Sequence, residues 1–263
     1  MFSSAIEGCL EKAKDYTAGG ARYNPSTVAM VGFATVVDSL AAIRYAVFEE
    51  KILSLDELCT ILKSDWKGNE VLRNKLSALP KFGHGDPHID SLAAKFAADM
   101  AKIICEMSNE RGGKYQASMF VYYFFHTMGK HVSATPDGRR SGDMLSQGTT
   151  PGRVNAPKSL TDVFQGIGRI DYLDYPANAV LDMQLPLDRK SKEPEMIRAI
   201  LRSFGKAGGA TIQINSVSLE DMKDAQKHPE KHQGLTIRIA GLSARFVCLG
   251  KELQDEIISR ACY

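Results

Sequence analysis

What this sequence lacks narrows it first. It has no excess of charge: 33 Lys and Arg against 31 Asp and Glu leave a formal net charge of +2. That balance gives no pull toward nucleic acid or an anionic membrane surface. No apolar run is long enough to cross a bilayer, and nothing at the start reads as a secretion leader. Metal-type cysteine spacing is missing too. The five cysteines, Cys9, Cys59, Cys105, Cys248 and Cys262, stand far apart, with no CxxC pair. Their odd number and wide spacing suit reduced thiols in a cytoplasmic protein. His84, His88, His131, His228 and His232 show no ligand spacing. Repeats and low-complexity tracts are also missing. What remains, 44% apolar and 24% charged residues, is the make-up of an ordinary globular chain. A length of 263 residues holds one large domain or two modest ones.

The first hundred residues read as helices. Met1-Phe2-Ser3-Ser4-Ala5-Ile6 runs directly into a helical pattern without a cap, as a chain cut from something longer would begin. Asn24-Pro25 reads as a cap with proline at the first helical position, and 28–48 as a buried helix. Ser54-Leu55-Asp56-Glu57 is a capping box that opens a helix to about Leu62. Asp86-Pro87 opens another, with Ile89, Leu92, Ala93, Phe96, Met100 and Ile103 at helical spacing.

The texture changes after Gly112-Gly113. The aromatic stretch 115–125 reads as a buried strand. Thr135-Pro136-Asp137-Gly138 is a turn, followed by a polar loop over 139–157, and Ser159 caps a short helix. Strands are expected over 180–185, 210–217, 235–240 and 243–249. Helices are expected over 194–206, from the capping box at Ser218 to about Lys227, and over 251–260. Strands alternating with helices argue for an α/β fold.

One segment carries chemistry: Arg238-Ile239-Ala240-Gly241-Leu242-Ser243-Ala244-Arg245-Phe246. A glycine within a strand-like run is usually a bulge or a close backbone approach. Its company changes that reading. Gly250-Lys251-Glu252-Leu253 follows it. Gly208-Gly209-Ala210-Thr211-Ile212-Gln213-Ile214-Asn215 and Asp224-Ala225-Gln226-Lys227-His228-Pro229-Glu230 precede it. Further upstream stand Ala134-Thr135-Pro136-Asp137-Gly138-Arg139, Gly19-Gly20-Ala21-Arg22-Tyr23-Asn24 and Gly8-Cys9-Leu10-Glu11-Lys12-Ala13-Lys14-Asp15.

In order and spacing these motifs resemble the C-terminal portion of the pyruvate formate-lyase-like glycyl radical enzymes, over essentially the whole chain. The resemblance implies that Gly241 stores a radical. A partner activating enzyme, using S-adenosylmethionine and a 4Fe-4S cluster, would remove one hydrogen atom from its α-carbon. No cofactor is then bound by the chain itself. Glycine suits a flat radical centre because it brings no side chain to crowd it. The resemblance also implies a loop buried away from water and oxygen, with Ile237, Ile239, Phe246 and Val247 as apolar flanks. It implies a fold as well: the second half of a ten-stranded α/β barrel over 1–133, followed by a glycine radical domain over 134–263.

The family also needs a catalytic cysteine in a Gly-Cys-x-Glu motif, to which the stored radical passes. Gly8-Cys9-Leu10-Glu11 matches it and makes Cys9 a thiyl candidate. The match lies in a helical pattern, however, and closer to Gly241 than the family's spacing. A cysteine acting as a small buried hydrophobe is the commoner role. The cysteine is therefore expected outside this chain, on a missing N-terminal half or a partner chain. Phe124, Phe125 and His126 are candidates to line a pocket for a small-molecule substrate, with plain core packing as the alternative. Leu242 and Arg245 stand where many family members carry aromatics. Ser243-Ala244 leans toward the dehydratase, decarboxylase and carbon–carbon-bond-forming branches. A half-barrel would expose strand edges and apolar surface, so an oligomer or a partner is expected. Two other readings remain: a non-catalytic module that complements a full-length partner, and an inactive relic.

Overall fold

Short parallel strands joined by helical crossovers make the frame. A computed structural model of the chain describes residues 1–185, 193–239 and 241–258. Strand β1 (Ser26–Ala29) pairs in parallel with β2 (Tyr115–Ser118), Ser26 opposite Tyr115. Four helices run between them: α1 (Phe33–Ile43), α2 (Leu55–Lys63), α3 (Glu70–Ser77) and α4 (Pro87–Glu106). Helices α5 (Phe124–Gly129) and α6 (Leu160–Ile167) lead to β3 (Val180–Gln184), and α7 (Glu193–Lys206) crosses to β4 (Thr211–Asn215). β3 and β4 are parallel, Val180 opposite Thr211. Parallel neighbours require such crossovers. A bridge between Met119 and Ala179 sets β2 beside β3. The α/β reading therefore holds, with three two-stranded sheets among the described residues. No helix among them is long and apolar enough to cross a membrane.

Every residue of β3 is buried, as expected of a strand covered on both faces. In the main core, Phe33 meets Phe82 edge-on at 5.6 Å and stacks on Phe96 at 5.9 Å. Ala93, Ala97 and Ala101 give α4 a small-residue face that joins the same cluster. The start of α4 follows the sequence rule: Asp86 accepts from the amides of His88 and Ile89, with Pro87 at the first helical position.

The turn at Thr135-Pro136-Asp137-Gly138 is a hub rather than a free loop. Lys81 Nζ donates to the carbonyls of Leu76 and Asp137. Arg73 Nε donates to the carbonyl of Gly138 at 2.8 Å, and Trp66 Nε1 to that of Arg139 at 3.2 Å. The Arg139 guanidinium donates to the carbonyls of Val132, Ser133, Arg140 and Asp143. A Cβ at Gly138 would lie 2.0 Å from Ser77 Oγ, on a backbone with φ of +101°. Only glycine fits there.

Asp38 of α1 is buried in the same region. Its Oδ1 accepts from the Phe82 amide at 2.7 Å, and its Oδ2 has no hydrogen-bond partner among the described residues. Burial raises its pKa from 3.8 to about 8. The folded chain thus keeps a proton that the unfolded chain releases near pH 4. Stability is greatest below pH 4 on this account and falls as pH rises to about 8. Asp38→Asn keeps an acceptor for Phe82 and removes the charge. Its urea midpoint is expected to lose this fall and to exceed that of the parent chain at pH 8. Equal slopes for both proteins between pH 4.5 and 8 would refute the assignment.

Several expectations are corrected. Residues 28–48 are not one helix. They hold the end of β1, a break at Gly32 (φ +84°), α1 and a π-helical turn, Arg44–Glu49. Asn24 caps no helix; its Nδ2 donates to the Ala21 carbonyl at 2.9 Å, and a strand follows. The aromatic stretch is a strand only as far as Ser118. Tyr122 takes φ of +45°, and the chain then coils into α5. Residues 1–15 form a 3₁₀ turn (Phe2–Ala5) and further turns, because Gly8 (φ +95°) and Ala13 (φ +46°) break any helix. The helix α3 was not foreseen.

The C-terminal part adds α8 (Leu219–Lys227), β5 (Thr236–Ile239), β6 (Leu242–Arg245) and α9 (Lys251–Ile258). The expected strand over 243–249 gives way to a 3₁₀ turn at Phe246–Cys248. Met222, Ala225, Ile237, Phe246 and Ile257 form the core of this part. Ala240, Cys262 and the end of the last expected helix lie outside the described residues.

Candidate functional site

β5 and β6 form an antiparallel hairpin with Ile239 opposite Leu242, so Gly241 sits in a two-residue turn. Such turns need positive φ, and Gly241 has φ of +81°. Beyond its chain neighbours, a Cβ built there would meet nothing within 4 Å among the described residues. Backbone conformation, not crowding, asks for glycine here. Gly241 is exposed, contrary to the expected buried loop. Ile237 and Phe246 bury themselves on the α8–α9 side, and Ile239 and Val247 are only half-buried. The apolar flanks therefore anchor the hairpin without covering its tip.

Side chains of β4 dock the hairpin. Asn215 Nδ2 donates to the Arg238 carbonyl at 3.0 Å, and the Arg238 amide donates back to Asn215 Oδ1 at 2.7 Å. The Gly241 amide donates to Gln213 Oε1 at 2.8 Å. Gln213 Nε2 donates in turn to Asp182 Oδ1 on β3. Gln147 Nε2 donates to Asp182 Oδ2 at 2.8 Å. Beside Gly241 lies a hollow of about 320 Å³, lined in part by Phe120, Asn178, Gln213 and Arg238. Sequence reasoning missed Asp182 and Gln147 and gave Gln213 and Asn215 no role. The available signal was their i, i+2 spacing on a strand, which puts both side chains on one face.

The other candidates do not converge on this hollow. Cys9 is buried, 2% exposed, among the N-terminal turns, where the Glu7 carbonyl accepts from the Arg22 amide at 2.8 Å. Cys59 and Cys248 are exposed and Cys105 is half-buried. Phe125 is fully buried with Val121 and Leu145. Phe124 turns outward and stacks on Tyr123 at 5.3 Å. His126 Nε2 approaches Glu252 Oε2 of α9 at 3.3 Å, and Lys130 Nζ donates to the same oxygen at 2.5 Å. The Lys130 hydrogen bond and charge hold the Glu252 carboxyl below its ordinary pKa. The helical turn of α5 separates these three side chains by pointing them in different directions. No cluster of His, Cys, Asp and Glu suited to a metal occurs among the described residues.

Comparison with known proteins follows the same lines. The family model described as "Pyruvate formate lyase-like" matches residues 1–128, and the one described as "Glycine radical" matches 145–247. The trans-4-hydroxy-L-proline dehydratase of Clostridioides difficile is 29% identical, over 99% of this chain and 33% of its own length. The isethionate sulfite-lyase of Oleidesulfovibrio alaskensis is 34% identical, over 88% of this chain and 28% of its own. Among solved structures, the glycerol-bound B12-independent glycerol dehydratase from Clostridium butyricum superimposes with a TM-score of 0.93 at 32% identity, covering 99% of this chain and 34% of that one. The chain spans about a third of the length of the relatives it matches.

Proposed function

The chain belongs to the pyruvate formate-lyase-like glycyl radical enzymes, and on that premise we propose that Gly241 is where it stores the radical. The observation that carries the reading is the left-handed, uncrowded Gly241 at a hairpin tip, inside the stretch matched as a glycine radical domain. A radical SAM activating enzyme with a 4Fe-4S cluster would break one Cα–H bond of Gly241 homolytically. The unpaired electron would then spread between the flanking amide nitrogen and carbonyl. Exposure of the tip suits access by that second protein. Shielding from oxygen would come from surface that the described residues do not supply.

The catalytic cysteine is proposed to lie outside this chain, on an N-terminal half or a partner chain. The burial of Cys9 among turns supports this. Residues 1–133 would contribute to the second half of a ten-stranded barrel, and 134–263 would form the radical domain. The parallel pair of β1 and β2 supports the barrel assignment. The favoured reaction is dehydration of a small hydroxylated molecule, an inference from the relatives named as dehydratases and from Ser243-Ala244. Other lyase, decarboxylase or formate acetyltransferase-like reactions are the alternatives. We place the assembly in the cytoplasm, as an oligomer, without nucleic acid or membrane partners.

Anaerobic incubation with a glycyl radical activating enzyme and S-adenosylmethionine tests the proposal. A doublet in the electron paramagnetic resonance spectrum is expected, with chain cleavage at Gly241 on exposure to air, read by intact mass. No doublet, with an activating enzyme proven on another substrate, would overturn the assignment and favour the relic.

A further inference from the structure

Among the described residues, Gly241 meets the parallel strands β3 and β4 not through a strand ladder but through one glutamine. We propose that Gln213 is the positioning residue for the Gly241 peptide, held in orientation by Asp182 and Gln147, an inference that rests on Gly241 being the radical site. Hydrogen-bond direction supports it. A backbone amide can only donate, so the Gly241 N–H fixes Gln213 Oε1 toward itself. The other end of the glutamine, Nε2, must then face Asp182 Oδ1, which accepts from it. Asp182 accepts from Gln147 on its second oxygen at 2.8 Å, so both carboxylate oxygens are committed. Asp182 and Gln147 are buried, 5% and 7% exposed, and Asp182 stands on a strand that is itself fully buried. The Gln213 amide thus hangs from a rigid support and cannot flip without losing two bonds.

The arrangement also has an electronic sense. A carboxylate beside Gln213 Nε2 polarises the glutamine amide and loads charge onto Oε1. Hydrogen bonds in such chains strengthen one another. A stronger acceptor at the Gly241 N–H leaves more electron density on its nitrogen. That nitrogen is the donor half of a radical shared between an amide nitrogen and a carbonyl. Gln213 therefore sets both the plane of the Gly241 peptide and the donor strength of its nitrogen. Asn215, two residues on along the same strand face, holds Arg238 instead. It docks the hairpin without touching the Gly241 amide, which separates docking from positioning.

The full chain carries the test. Gln213→Leu keeps volume and removes both hydrogen bonds. By nuclear magnetic resonance, amide exchange at Gly241 is expected to speed up at least tenfold. The Phe246 amide, which donates to the Leu235 carbonyl at 2.8 Å, is expected to keep its rate. Unchanged exchange at Gly241 overturns the proposal. After activation, electron–nuclear double resonance reads the coupling of the exchangeable N–H proton to the radical. It is expected to shift in Gln213→Leu, and in the same sense but less in Asp182→Asn. Asn215→Ala is expected to leave it in place. Identical couplings in the parent chain and Gln213→Leu would reduce Gln213 to packing and overturn the proposal. A parent chain that gives no radical refutes the reading of Gly241 instead, and the exchange result alone then decides whether Gln213 holds that amide.

Discussion

Gly241→Ala is expected to leave the chain folded and to erase the radical signal completely. The two halves of this expectation rest on different physics. Beyond its chain neighbours, a methyl group at this position meets no atom of the described residues within 4 Å, so packing does not object. Its cost is conformational: an L-residue at φ of +81° loses about 1–2 kcal/mol, within the reach of a normally stable domain. The radical suffers far more. Delocalisation over the amide nitrogen and the carbonyl needs one plane, and a β-carbon on that plane collides with the flanking peptide atoms. The doublet and the air-dependent cleavage should both vanish, while circular dichroism stays that of the parent chain and the urea midpoint falls only by what that conformational cost takes. A variant that still gives a doublet would move the radical away from Gly241.

Trp66→Ala is expected to cost about 3–5 kcal/mol, the range for emptying a large buried aromatic site. Trp66 is fully buried at the centre of a cluster with Ala46, Leu58, Leu76 and Ala134. Its backbone is left-handed, φ +65°, a conformation a bulky residue does not choose by itself. The buried indole holds it there. Removing the indole also strips the Arg139 carbonyl of the Nε1 donor, in the turn that gathers Lys81, Arg73 and Trp66. Trp66→Phe keeps most of the volume and loses only the donor, so about 1–2 kcal/mol is expected from it. Urea denaturation separates the two. Equal, small losses in both variants would show that the turn does not depend on this residue.

Local punctuation was the most legible part of the fold. Ser54, Asp86, Ser159 and Ser218 cap the helices their side chains announced, because a cap is decided within three or four residues. Composition misled where tertiary contacts decide. The aromatics after Ser118 look like strand, yet Phe125 is core and Phe124 is solvent-facing because the chain coils at Tyr122. The stretch 28–48 is apolar almost all round, so its hydrophobicity could not reveal the break at Gly32 between strand and helix. At the site, the glycine stood out through its surrounding motifs. Asp182 and Gln147 did not. Their roles depend on β3 lying beside β4 and on the loop that carries Gln147 lying against β3, neighbours that no local pattern in these segments records.

The way the hairpin is attached has a mechanical consequence. β3 and β4 are joined backbone to backbone along five paired residues, a ladder that resists shear as a unit. Among the described residues, β4 holds the hairpin by hydrogen bonds that each end on a side-chain amide, at Gln213 and Asn215. Such bonds yield one at a time under load. Force applied through the C-terminal helix would therefore peel the glycine-bearing hairpin away while the parallel strands beneath it stayed whole, so the outer edge of β4 is a seam that opens before the β3–β4 ladder does.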